Sequence, residues 1–327
     1  MEKLVPSLAK KTNYILHYRN LQQYLALGLR VTAVHKVLEF RQSRWLEPYI
    51  KLNSELRKAA TNDFAKELFK LLNNSIYGKT VENLMKRRKV ILSTDRGTTK
   101  RWCEQPNLKA VRIYSEDLVA IELQPTEVKV NKPTYAGFTV LELSKWIMYD
   151  FHYSVMKPRY GQNLELLFTD TDSLVYEVKT DNLYGDMHAM REHFDFSDYD
   201  RASPYYDATN KKVIGKFKDE TNGKPILEFV GLRPKMYSIL LGNSGGHKKT
   251  AKGICKAVAD KFKHENYVRQ LRQPEPSFAT MFKIHQQAHE LTTMQQNKRS
   301  LCSFDDKRYI CDDNVHTLAY GHYTLTH

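Results

Sequence analysis

The spacing of apolar residues changes several times along the chain, and each change marks an element. Residues 14–18 (YILHY) alternate briefly and predict a short strand. Residues 19–27 then follow a helical period that Gly28 is placed to end. Residues 30–40 (RVTAVHKVLEF) alternate again, the pattern of a half-buried strand. Over 43–60, Leu46, Ile50 and Leu56 keep a helical period, and Thr61-Asn62 supplies turn and N-cap chemistry. A second helix is predicted from there to about Lys86, and so tight a joint makes the two helices antiparallel.

From 89 to 140 the pattern is strand-like in three runs, KVILST, VRIYSEDLVAIEL and EVKVNKPTYAGFTV. Residues 141–156 return to a helical period. LELLFTDTDSLVYEV is two apolar runs around a polar tip, which predicts a hairpin. An acidic loop follows over 181–207, with seven acids against two basic residues. Residues 214–241 read as strands joined at Asn222-Gly223. After a Gly-rich turn at 242–246, residues 247–300 look helical and basic, and the rest looks like a polar tail.

Composition narrows the possibilities. A chain of 327 residues that is 41% hydrophobic can form one large or two to three modest domains with real cores, which excludes disordered, collagenous and mini-protein classes. The net charge of +14 favours a polyanionic partner, with a membrane surface as the other attractor. No apolar run is long enough to span a bilayer and the start has no signal-peptide core, so the chain is expected to be intracellular, nucleus or cytoplasm being undetermined. Cys103, Cys255, Cys302 and Cys311 lie far apart without a C-x-x-C, which indicates neither a disulfide framework nor a zinc site.

Three constellations could carry chemistry. In Lys70-Leu-Leu-Asn-Asn74-Ser75-Ile-Tyr77-Gly78, Lys70, Asn74 and Tyr77 fall within roughly 60° of one another on a helix, while Phe64, Leu68, Leu71 and Leu72 fill a separate arc expected to face a core. Lys66 extends the polar stripe, so two ammonium groups could meet a triphosphate and the Tyr77 ring could stack on a sugar or base. The bland alternative is an amphipathic helix with a solvated lysine face. Next, Asp170-Thr-Asp172-Ser173 sets two carboxylates at a hairpin tip, where Mg²⁺ would keep both ionised and bridge to phosphates. A plain capped turn is the alternative there. Third, Lys235 and Tyr237 in Arg233-Pro-Lys-Met-Tyr would share one strand face and could grip a phosphate and a sugar, unless they are only a surface lysine and a half-buried tyrosine.

The basic charge is regional, because residues 211–300 hold 18 Lys and Arg against 7 Asp and Glu. GNSGGHKKT is not a P-loop, since His247 stands in the place of its second glycine. His285 and His289 have zincin spacing without its glutamate, and read as structural or exposed.

In this order, K-x-x-x-N-S-x-Y-G, D-T-D-S and K-x-Y, the chain resembles a family B DNA polymerase from its motif B to its end. HYRNLQQYLALGLRVTAVHKVLEF, KWIMYDFHYSVMKPRYG, KFKDETNGKPILEFVGLRPKMYSI and LAYGHY look like the protein-primed branch carried by Polinton/Maverick elements and related viruses. The resemblance implies an α+β fold: a polymerase palm sheet, a helical fingers hairpin and a mostly helical basic thumb, a right hand in part. It places palm at 1–42, fingers at 43–88, palm with an insertion between motifs B and C at 89–245, thumb at 246–300 and a tail at 301–327. That insertion could help to enclose the template.

Carried over by residue, the resemblance makes Lys66 and Lys70 contacts to the incoming triphosphate and puts Asn74 and Tyr77 at the nucleotide pocket. Asp172 becomes the direct metal ligand and Asp170 its partner in a two-metal Mg²⁺ site. Lys235 and Tyr237 steady the primer end, and Ser75, Gly78, Lys248, Lys249 and Lys252 are further DNA contacts. The implied partners are primer-template DNA, dNTPs and a terminal protein primer. Family members carry another metal-binding aspartate in D-x-x-S-L-Y-P and an exonuclease ahead of the fingers. Neither occurs here: before Asp63 the acids are glutamates, Glu2 and Glu39 among them in the first 42 residues. The expectation is therefore the carboxy-terminal part of a polymerase, incomplete in its metal site and inactive alone. The alternatives are a primer-template binding remnant without chemistry and, less well matched at the D-T-D-S tip, a reverse transcriptase.

Overall fold

The computed structural model describes residues 10–242, 246–287, 289–304, 308–312, 317–319 and 324–325. The centre of the Gly-rich turn and residues 320–323 of LAYGHY lie outside them. The chain divides into two compact units, Met1–Ser43 with Glu142–Ala279 and Lys298–His327, and Arg44–Leu141 with Thr280–Asn297. In element content it is a mixed α/β protein with several small sheets.

In the first unit, α1 (Tyr18–Ala26) starts where the His17 side chain accepts the Arg19 N–H, and it gives way at Gly28, whose φ of 93° is left-handed. The strand expected at 14–18 is absent, since His17 is already the cap and Tyr18 the first helical residue. Residues 30–40 are not a strand either. They lie exposed, with Val37 77% and Leu38 69% accessible, and no described strand pairs with them. Alternation marks a strand only where a neighbour supplies the ladder.

The second unit opens with α2 (Glu47–Ala59) and α3 (Asp63–Thr80), packed as the expected antiparallel pair. Asn62 Oδ1 caps α3 by accepting the Ala65 N–H at 2.8 Å. The packed face of α3 is Ala65, Phe69, Leu72, Ile76 and Thr80, whereas Phe64 and Leu71 are 78% and 63% exposed. Of the expected core-facing arc, Leu72 packs, whereas Phe64, Leu68 and Leu71 are exposed. The helix stops at Thr80, and a separate 3₁₀ turn, Leu84–Lys86, replaces its expected last turn.

Next come β1 (Lys89–Ser93), α4 (Arg96–Cys103), β2 (Leu108–Ser115) and β3 (Leu118–Leu123), the strands forming an antiparallel sheet in the order β1-β3-β2. The third strand-like run, 127–140, is corrected: the chain is irregular to 133 and α5 (Thr134–Asp150) then begins. At Gly137 an added Cβ would lie 2.3 Å from Thr80 Oγ1 and 2.5 Å from Val81 Cγ1, so this close approach of α5 to the end of α3 requires glycine.

Beyond residue 141 the first unit resumes. Helix α5 runs on through a π-helical stretch, Phe151–Met156, and α6 (Lys157–Tyr160) to Gly161. Then follow β4 (Leu164–Thr169), β5 (Leu174–Val178), α7 (Leu183–Ala189), β6 (Phe194–Asp195) and β7 (Phe217–Lys218). Phe151, Met156, Tyr160, Met190, Phe194 and Phe196 are among the residues of the first core cluster. The acids of 181–207 mostly serve as acceptors for this fold. Asp186 accepts from Arg159, Tyr160 and Thr180, and Asp195 from the N–H groups of Ser197 and Lys212.

Strands β8 (Ile226–Arg233), β9 (Met236–Leu241) and β10 (His247–Ala251) form a sheet in the order β10-β9-β8. Asn222-Gly223 is a left-handed turn tied to Asp219, but it is no hairpin, because β7 pairs in parallel with β6. Helices α8 (Lys256–Ala259) and α9 (His264–Arg272) follow, and Tyr267 of α9 is buried with Val230, Leu232 and Met236 in a second core cluster.

The mostly helical thumb is corrected in secondary structure. Residues 247–251 are a strand, and β11 (Phe278–Gln287) with β12 (Glu290–Arg299) make a long hairpin, followed by the short β13 (Arg308–Ile310) and β14 (Thr317–Ala319). The turn of that hairpin is held within the second unit. His289 adopts φ 65°, accepts the Tyr114 hydroxyl at its carbonyl at 2.5 Å, and sets Nε2 2.9 Å from Glu122 Oε2. These contacts use the left-handed turn at His289 and are lost in a continuous helix. No helix among the described residues is long and apolar enough to cross a membrane.

Candidate active site

The hairpin β4–β5 pairs in register to Thr169 opposite Leu174, which leaves Asp170-Thr171-Asp172-Ser173 as its tip. The Asp170 N–H donates to Ser173 O at 3.1 Å and the Asp172 N–H to Asp170 O at 2.6 Å. The second bond closes a three-residue turn around Thr171 at φ 60°. A β-branched residue in that region costs on the order of 1–3 kcal/mol, a strain that concentrates at functional sites. The tip therefore holds its two carboxylates in a costly and specific backbone.

Lys235 meets this tip. It does not share a strand face with Tyr237, as expected from the sequence. Instead it occupies the turn between β8 and β9 at φ 59°, with its carbonyl accepting the Lys252 N–H at 3.0 Å. From there Lys235 Nζ lies 3.1 Å from Asp170 Oδ2. The Tyr237 ring sits 4.9 Å from Phe168 and 5.8 Å from Phe229, so aromatic packing joins β4 to the β8–β9 hairpin beside the ion pair. Two motifs far apart in the chain are thus one cluster of Asp170, Asp172, Lys235 and Tyr237. Its oxygen-only carboxylate pair suits a hard cation that also takes ligands from phosphates. Among the described residues no group of three or more His, Cys, Asp or Glu could hold a metal by itself, and the four cysteines are free.

The other constellation lies on α3 in the second unit. Asn74, Ser75, Tyr77 and Gly78 are exposed on it, and a Cβ at Gly78 would meet nothing within 4 Å. Lys66 Nζ is 3.1 Å from Asp63 and Lys70 Nζ 3.7 Å from Glu67, pairs one turn apart with exposed carboxylates. Such pairs are worth about 0–1 kcal/mol, so both ammonium groups can leave them for a stronger anion. Ser75 Oγ donates to Leu72 O at 2.8 Å and is committed to its own helix.

Of the lysines beyond β9, Lys248 pairs with Glu220 at 3.2 Å and Lys252 is exposed. Lys249 Nζ donates to Asp260 O at 2.7 Å and also to Phe262 O, capping the end of α8. His285 Nε2 lies 3.4 Å from Gln287 Oε1, and His289 Nε2 lies 2.9 Å from Glu122 Oε2.

Two buried polar clusters leave no mark in the sequence pattern. Ser238 Oγ lies 2.9 Å from His264 Nδ1, and His264 Nε2 is 3.2 Å from Glu228 without hydrogen-bond geometry. This resembles a hydrolase triad, but Ser238 is 0% exposed in the central strand β9, so no substrate reaches it. It anchors α9 to the sheet. Glu122, 4% exposed on β3, takes Lys109 at 2.9 Å and His289, and these contacts with Arg88 nearby hold its carboxyl below the usual range, Lys109 contributing most.

Residues 3–158 match the family described as DNA polymerase type B, organellar and viral, so this stretch matches part of a family B DNA polymerase. It takes in α1 to α3 and ends ahead of Asp170. No curated protein and no solved structure matches the chain.

Proposed function

We propose that this chain carries part of the active centre of a DNA-directed DNA polymerase of the protein-primed kind, acting in DNA replication. The observation that supports it best is the Lys235–Asp170 pair, which links the D-T-D-S tip and the K-x-Y motif outside the family-matched stretch. In this reading Asp172 is the direct metal ligand, Asp170 its partner, and Lys235 and Tyr237 steady the primer end. Lys66 and Lys70 take the triphosphate, Asn74 and Tyr77 border the nucleotide, and Ser75, Gly78, Lys248 and Lys252 lie along the DNA. Bound Mg²⁺ would activate the 3′ hydroxyl and neutralise the departing pyrophosphate. The protein's own part is position and charge: the strained tip positions both carboxylates, and Lys235 orients Asp170 until phosphate oxygens compete for it. Residues 1–42 and 89–245 serve as palm, 43–88 as fingers and 246–300 as thumb, with a terminal protein as the primer. A binding-only role is the second reading, favoured by the presence of carboxylates from a single hairpin tip.

Lys70→Ala tests the nucleotide assignment. Losing one charge-assisted contact costs about 1.5–3 kcal/mol, so the affinity of a fluorescent dNTP for the chain loaded with primer-template is expected to fall more than tenfold, while DNA affinity holds. Unchanged dNTP affinity would make Lys70 an ordinary surface lysine.

A further inference from the structure

The second unit contains a cavity of about 300 Å³ that the proposed polymerase roles do not use. Leu84, Pro125 and Val128 give it apolar lining, and Arg87, Arg88, Lys89 and Lys129 give it cationic lining. Leu84 is buried at 8% exposure, while Arg87 and Arg88 are 57% and 60% exposed, so apolar surface is combined with open charge. The Lys89 ammonium stands 5.2 Å from the Trp102 ring centroid, which holds its stem in place without neutralising it.

Three carboxylates oppose these cations, and all three are outnumbered. Glu127 lines the cavity itself. Glu82 is taken by Arg87 at 2.8 Å, with Lys132 at 3.4 Å and Lys79 at 3.7 Å, and its carboxyl is pushed down to about 2, chiefly by the Arg87 hydrogen bonds. Glu122 has Arg88 at 3.6 Å but is already met by Lys109 and His289. Seven lysines and arginines thus face three acids, a density of positive charge that calls for an external anion.

We propose that this cavity binds a phosphate ester together with its attached sugar or base, the phosphate meeting Arg88, Lys89 and Lys129 and the organic part lying on Leu84 and Val128. The volume suits about one nucleotide unit. Such a unit can come from a nucleic-acid strand or from a free nucleotide. The inference rests on the cavity and stands or falls independently of the polymerase reading.

The test uses the whole chain in EDTA, so that neither metal nor extension contributes. Binding of a labelled single-stranded oligonucleotide is followed by fluorescence anisotropy from low to moderate salt, with dATP and inorganic pyrophosphate as competitors. For a strand, removing two phosphate contacts in Lys89→Gln/Lys129→Gln lowers the log K against log salt slope by about 1.4, a loss of more than tenfold at 0.1 M salt. Lys89→Arg/Lys129→Arg keeps the affinity, and a thermal melt confirms that each variant is folded. Lys51→Gln/Lys58→Gln on α2 removes the same charge elsewhere and shifts binding less than twofold. If the source is a free nucleotide, dATP binds the native chain and loses at least tenfold in the Gln pair, with the oligonucleotide slope unchanged. Equal loss in the α2 control, or no loss in either arm, overturns the proposal.

Discussion

A protein of these 327 residues is expected to hold primer-template DNA yet to extend no primer above background in Mg²⁺ and dNTPs. Two-metal transfer places ions about 3.5–4 Å apart and needs room between them for the attacking hydroxyl and the triphosphate, so its carboxylates come from two separate strands. The described residues offer one such source, the Asp170 and Asp172 tip. In any longer polypeptide that adds a carboxylate from a second strand, extension is expected to appear, and Asp172→Asn should abolish it while DNA binding persists. Gel-resolved extension of a labelled primer reads both. Robust extension by the 327-residue chain would mean that another acid, Glu39 for example, completes the site. Full activity of Asp172→Asn in the longer protein would remove the metal-ligand assignment.

The second large effect is expected at the join of α1 to α5. Asn20 is 0% exposed and donates through Nδ2 to Glu142 Oε2 at 2.7 Å and to Glu142 O at 3.0 Å. Glu142, itself 4% exposed, is also met by Lys145 at 2.7 Å and by the His17 N–H at 3.4 Å. Burial pushes the Glu142 carboxyl up, but hydrogen bonds from Lys145, Asn20 and His17 outweigh it and leave the group below its ordinary value. Asn20→Leu keeps the branched shape, adds bulk at a buried position and removes a bond to a charged acceptor, the last of which costs about 1.5–3 kcal/mol. The pH dependence has a definite sign. A carboxyl depressed in the folded state stabilises above its unfolded value, near 4.5, and that contribution is lost as pH falls through the folded value. Urea unfolding followed by tryptophan fluorescence, with Trp146 beside Arg19 at 5.4 Å, should show this acid loss in the native chain and less of it in Glu142→Gln. Equal stability of Asn20→Leu at pH 7 would contradict the role given to the cluster.

The helices α1, α2 and α3 were legible because their caps and breakers, His17, Asn62 and Gly28, act locally. The D-T-D-S hairpin was legible because a polar tip between two apolar runs has few other uses. What failed depended on distant partners. Residues 30–40 have the alternation of a strand and no described neighbour to complete it, while 135–140 carry strand-like residues into α5, where Gly137 lies against Thr80. The Gln-rich stretch over 278–299 has little apolar periodicity of its own, and its hairpin is tied at a distance by His289 and Glu122. Lys235 and Tyr237 do not share the strand face expected of them, because a left-handed lysine in a turn leaves no mark in a strand-like run. The cap that Lys249 makes on α8 is hidden for a related reason: nothing in its own neighbourhood in the sequence marks it.

The central claim, that the β4–β5 tip is a metal and phosphate site, is tested most directly by replacing Mg²⁺ with Fe²⁺ and mapping backbone cleavage by the hydroxyl radicals it generates. With primer-template and dNTP bound, the chain is expected to be cut at 170–173, Mg²⁺ should compete the cut away, and Asp172→Asn should remove it. Cleavage only elsewhere, or a cut at the tip that survives Asp172→Asn, would contradict the account.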